Sequence, residues 1–163
     1  MPTPPSKTTP PRRILLVYGG RAGGRTEQLV GAVTQGVLSA GSEVTLMSRH
    51  ALQCTADELL VAEGLLLGTP EHFGYMSGAL KDFFDRTYYP AEGKTSGLPY
   101  GLFVSAGNDG TGTVRAVKRI ATGYGWSAFS PPLIVIGETD KAALERASEL
   151  GATLAYGLIA GIF

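Results

Sequence analysis

The 163-residue chain has one cysteine, Cys54, two histidines and no excess of either charge, with 14 basic residues standing against 14 acidic ones. A lone thiol forms no internal disulfide, so no oxidising compartment is needed and a cytoplasmic location is expected. Cys54 itself reads as a small side chain in a loop. No Cys/His cluster of zinc-binding type is present, and no metal is expected. Balanced charge gives no footprint of a nucleic-acid binder or of a protein held on an anionic membrane. No apolar run is long enough to span a bilayer. The apolar stretch Leu154 to Phe163 reads instead as the end of an amphipathic helix packed on the core.

Apolar residues make up 44% of the chain, enough at this length for one domain with its own core. Residues 1–12, within MPTPPSKTTPPRR, alternate proline with small polar residues. They read as a disordered tail without the apolar stretch of a signal peptide. Over 13–163, short strands alternate with helical periodicity. The strands are expected at Arg13–Tyr18, Glu43–Met47, Gly64–Gly68, Tyr100–Ser105 and Leu133–Ile136. Helices are expected over Thr26–Ala40, Ala56–Val61, from a Ser77 cap to about Arg86, from Gly112 to about Thr122, and after an Asp140 cap. An irregular loop is expected from Thr87 to Pro99. Strands rich in Leu, Val and Ile, separated by helices, imply an α/β protein with a parallel sheet covered on both faces. Ligands of such sheets bind beyond the carboxyl ends of the strands, where Gly19–Thr26, Gly68–Met76 and Ser105–Thr113 converge.

The first of these loops, GGRAGGRT, lies between a strand and a helix, where free N–H groups and the helix dipole favour an anion. From Gly19 through Gly24 to Thr26 it nearly matches G-x-x-x-x-G-K-[ST], with Arg25 in place of lysine. A triphosphatase would also need a magnesium-holding Asp at the end of an apolar strand, and none of the later strands supplies one. The dinucleotide spacing G-x-G-x-x-G is absent.

The second loop is the more specific. GTPEHFGYMSGALKDFFDRT, Gly68 to Thr87, resembles the flavodoxin-like FMN-binding family of NAD(P)H-dependent FMN and quinone reductases. Its pattern there is G-[ST]-P-x-[YH]-[FY]-G-x-M-[ST] followed by a helix ending F-[FL]-D-R. The resemblance implies a three-layer doubly wound sheet of strand order 2-1-3-4-5. It also implies bound FMN, hydride transfer from NAD(P)H to a quinone or another small planar acceptor, and no nucleophilic side chain. A neighbouring subunit often walls the flavin in such reductases, so a homo-oligomer is expected, with Tyr88 and Tyr89 on the Thr87–Pro99 loop lending contact area.

On this resemblance Gly20, Arg21, Gly23, Gly24, Arg25 and Thr26 form the phosphate loop. It departs from the family's [ST]-x-[ST]-G-x-[ST], because Arg21 and Gly23 replace two hydroxyls, and guanidinium groups compensate. Thr69, Pro70, Glu71, His72, Phe73, Gly74 and Tyr75 form the loop at the ring, with Phe73 or Tyr75 offering flat apolar surface. His72 shapes the loop and is not read as a base. Ser105, Gly107, Asn108, Asp109 and Gly110 either face the pyrimidine end of the ring or make an ordinary turn into a capped helix. The rival is a flavodoxin-type carrier that binds FMN without reducing anything by itself. Such carriers are usually strongly acidic, which this chain is not.

Overall fold

Leucine- and valine-rich runs form the strands, and the segments with polar interruptions between them form helices. The computed structural model describes residues 1–4 and 8–163. Residues 5–7 of the expected tail lie outside the described residues. In chain order the elements are β1 (Arg12–Tyr18), α1 (Arg25–Leu38), β2 (Val44–His50), α2 (Ala56–Leu60), β3 (Gly64–Pro70), α3 (Gly78–Ala91), β4 (Pro99–Ala106), α4 (Thr111–Tyr124), β5 (Ser127–Ala128), β6 (Leu133–Ile136) and α5 (Lys141–Ile159). The sheet is parallel, in the order β2-β1-β3-β4-β5, with β6 also paired to β4. The expected order holds.

Period-two alternation divides the core into two layers. Ile14, Leu16, Leu66 and Phe103 join the cluster formed with α1 and α5, while Leu15, Val17, Leu65, Leu67, Leu102 and Val104 join the one formed with α2, α3 and α4. Helix starts follow local chemistry. Thr55 and Glu58 form a reciprocal capping box on α2, Ser77 accepts from Leu80 N on α3, and Asp140 accepts from Ala143 N on α5.

Three expectations are corrected. Arg12, assigned to the tail, is the first residue of β1, and its guanidinium donates to Glu63. The expected irregular loop after Arg86 is helical as far as Ala91, despite Pro90. Burial carries the helix on: Thr87 is inaccessible, donates to Phe83 O and bonds the Tyr124 hydroxyl, while Tyr88 packs edge-on to Tyr124. The Gly93–Gly97 run that follows is anchored, with Gly97 N donating to Gly125 O and Thr95 Oγ1 accepting from Trp126 Nε1. Finally, the fifth strand position is shared by β5 and β6. Tyr100 pairs with Ala128 and Phe103 with Leu133. Five steps on the edge therefore match three on β4, because Pro131 and Pro132 have no N–H to donate.

Candidate functional site

The three loops do meet. A cleft of about 820 Å³ opens at the carboxyl ends of β1, β3 and β4. Gly20, Arg21, Gly24, Arg25 and Thr26 form one wall, and Pro70, Glu71 and His72 another. Ser105 and Gly107 line it from the third loop, and its volume suits a cofactor-sized ligand.

The first loop leaves β1 through Gly19, whose N–H donates to Gly68 O. Gly20 and Gly23 have φ of 97° and 74°, conformations that a side chain would strain. Gly24 is the N-cap of α1 and supplies no side-chain cap, so the first-turn N–H groups point out of the helix unpaired by any side-chain cap. Two carboxylates lie close by: Glu27 accepts from Gly23 N at 3.3 Å, and Glu138 pairs with Arg25 at 3.4 Å. Both contacts are solvent-exposed and weak, and a phosphate dianion offers these donors a stronger acceptor.

The second loop is held from within. Thr69 is inaccessible, and its hydroxyl donates to Pro70 O and accepts from Ser77 N. It therefore ties the end of β3 to the start of α3 and does not line the cleft. His72 and Tyr75 exchange backbone hydrogen bonds around a two-residue turn formed by Phe73 and Gly74. Both turn residues have positive φ, 53° and 71°, as a type I′ hairpin requires. Phe73 adopts it at a cost, with its ring fully exposed at the tip. Phe73, Gly74 and Tyr75 stand beside the cleft, not on its wall.

In the third loop, Asp109 turns onto its own helix, accepting from both the N–H and the hydroxyl of Thr111. Those bonds, the backbone one first, hold its carboxyl below the usual carboxylate range. Asn108 N and Gly110 N donate to the Glu71 carboxylate. Of the two open readings of this loop, the local turn accounts for the Asp109 side chain. Gly23, Asn108, Asp109 and Gly110 support the walls without lining them.

Several contributors to the cleft escaped the sequence reading: Ser77, Gly78 and Ala79 at the start of α3, Ala106 at the end of β4, His50 at the end of β2 and Leu52 after it. His50, the last residue of β2, lies opposite Tyr18 in the β1–β2 register and lines the cleft with Leu52. Its Nδ1 accepts from Leu52 N, which assigns the proton to Nε2, and Nε2 donates to Gly20 O at 3.0 Å. The strand was expected to end at Met47, three residues short. A strand next to β1 necessarily ends beside the first loop, so the order 2-1-3 was itself the available signal.

Cys54 does sit in a loop, buried, and burial first, then Glu58, pushes its thiol up to about 12. It takes no part in the cleft.

A parallel sheet of this order, with a glycine-rich uncapped helix start at the β1/β3 switch point, defines the flavodoxin-like class of nucleotide-binding folds. The chain belongs to the NADPH-dependent FMN reductase family, whose profile matches residues 12–138. The resemblance seen in the second loop is thus borne out, and FMN is the cofactor of that family. Among curated relatives, a flavodoxin of Aquifex aeolicus is 31% identical over 88% of this chain and 74% of its own length. A probable NAD(P)H dehydrogenase (quinone) of Arabidopsis thaliana is 32% identical over 68% of this chain, which spans 48% of that relative. Among solved structures, an archaeal flavodoxin superposes with a TM-score of 0.79 at 20% identity, covering 90% of this chain and 99% of its own. No helix among the described residues is long and apolar enough to cross a membrane.

Proposed function

We propose that the protein binds FMN in this cleft and carries hydride from NAD(P)H to a quinone or similar planar acceptor, in the cytoplasm. The observation that carries this reading is the uncapped start of α1, flanked by Arg21 and Arg25, at one end of a cleft walled by the other two loops. The donor set suits one terminal phosphate: N–H groups at a helix start and two guanidinium forks. Bound FMN supplies the two-electron chemistry. The protein supplies position. Arg21 and Arg25 would hold the phosphate, Arg25 giving up its exposed pair with Glu138 to do so, and His50 holds Gly20 so that the loop keeps its shape. Thr69 fixes where the second loop leaves β3, and Phe73 and Tyr75 offer aromatic surface beside the opening for the ring or for the acceptor. A homo-oligomer that completes the acceptor side belongs to the same proposal.

The flavodoxin relative supports a second reading, an electron carrier that holds FMN without a reductase activity. The even balance of 14 basic and 14 acidic residues favours the enzyme, because carriers of this class dock by long-range attraction to basic partners. FMN-loaded protein is mixed anaerobically with NADPH or NADH and its visible absorbance followed. Bleaching within a turnover time is expected, with recovery on adding a quinone. An unchanged spectrum would leave the carrier.

A further inference from the structure

Glu71 stands where the second and third loops meet, and its side chain joins them. Its N–H continues the β3–β4 ladder to Ser105 O at 2.8 Å, which fixes the root of the side chain. The two carboxylate oxygens each accept one hydrogen bond, from Asn108 N at 2.7 Å and from Gly110 N at 2.8 Å. Gly110 is the N-cap of α4, lies in the left-handed region and has no side chain with which to cap. A carboxylate from another loop therefore takes the N–H of the N-cap residue itself, at a helix start where the dipole favours negative charge. The neighbouring Asp109 accepts from Thr111 N, the first helical N–H, so the two carboxylates take different donors of the same helix start. Both bonds are short and charge-assisted, and the same residue lines the cleft.

We propose that Glu71 is a positioning residue: it clamps the third loop in its ligand-binding conformation and keeps a fixed negative charge on the cleft wall beside the flavin ring. The clamp belongs to the chain alone, and the effect on the ring rests on the FMN reading above. Two consequences follow. The third loop is ordered before any ligand arrives, so its ordering cost does not fall on binding. Two-electron reduction adds negative charge to the ring, so an adjacent carboxylate lowers the reduction potential of the bound cofactor.

The test uses Glu71→Gln, which keeps the size but removes the charge and turns an NH₂ toward one of the two donors. In flavin-free protein, amide exchange at Asn108 and Gly110 is expected to accelerate about tenfold or more, with α5 unchanged. In loaded protein, affinity for FMN and for riboflavin is expected to fall by the same factor, because the change lies away from the phosphate. The potential of the bound flavin is expected to move in the positive direction. Glu71→Asp, which keeps the charge on a shorter arm, should lose exchange protection while holding the potential near that of the parent. Unchanged exchange at both amides in the Gln variant overturns the clamp. An unchanged potential in that variant overturns the role of the charge. A parent protein that binds neither flavin overturns the charge role together with the proposed function, and the exchange measurement still decides the clamp.

Discussion

At the scale of single residues, the phosphate end of the cleft separates charge from shape. Changing Arg21 and Arg25 together to Ala removes two guanidinium donors and leaves the backbone loop intact. Each charge-assisted bond contributes roughly 1.5–3 kcal/mol. FMN binding is therefore expected to weaken by roughly a hundredfold or more while riboflavin, which has no phosphate, binds as before. Titration of both ligands by fluorescence measures this, and an equal loss for both would assign the arginines to the fold. Phe73 presents the opposite balance. Its φ of 53° costs about 1 kcal/mol for a residue with a bulky side chain. Phe73→Asn, which tolerates that conformation, should raise the urea midpoint and at the same time reduce ligand affinity. Titratable groups in the core give a pH prediction. Cys54 is raised from 9.0 to about 12 by burial, and Tyr124 from 10.0 to about 12 by burial, against the Thr87 hydrogen bond. Both groups stay protonated in the folded state above the pH at which the unfolded chain releases them. Their contribution is complete below pH 9 and is lost as pH rises towards 12, with a slope near 1.4 kcal/mol per pH unit for each group. Cys54→Ala should reduce the loss between pH 9 and 10 in urea titrations, where the thiol ionises ahead of the tyrosines in the unfolded chain.

At the scale of elements, α1 and α5 meet backbone to backbone at two glycines. A Cβ on Gly36 would overlap Ser148 O, and a Cβ on Gly151 would overlap Val33 O. Backbone meets backbone there, so relief requires the helices to move apart. Either glycine changed to Ala is expected to destabilise by about 1–3 kcal/mol, as overpacking does. Chemical denaturation of the two variants checks it, and no loss would mean the helices slide freely. The helix starts were readable because they are local. Ser77 and Asp140 cap the helices they announce, through side chains that reach only three residues on. The end of α3 was not readable. A sequence with Pro90 and two tyrosines looks like a breaker, and the helix persists because Thr87 and Tyr88 meet Tyr124 from another element. His50 was missed for a related reason. Its place depends on β2 lying beside β1, and nothing within the segment itself records that.

At the scale of the whole molecule, cofactor binding should appear as stability. FMN at about a hundred times its dissociation constant would add roughly 2.7 kcal/mol. For a chain of this length that corresponds to a rise of about 5–10 °C in Tm, and riboflavin should give a smaller rise. A scan with each flavin measures this, and sedimentation of the loaded protein tests for the homo-oligomer. Tyr88 and Tyr89 line a separate hollow of about 330 Å³ with Phe84 and Tyr124, sharing no residue with the cleft. Within one subunit they do not line the cleft. Sequence by itself determined the alternation of strands and helices, the parallel sheet, the three loops that meet at its carboxyl edge and the family. Each of these is written in local periodicity, turn chemistry or a contiguous motif. Tertiary structure alone decided which of those loop residues face the cleft, that His50 steadies the first loop, and that Glu71 spends its carboxylate on the third. Those facts depend on groups far apart in the chain arriving at hydrogen-bonding distance, and only the packed sheet brings them there.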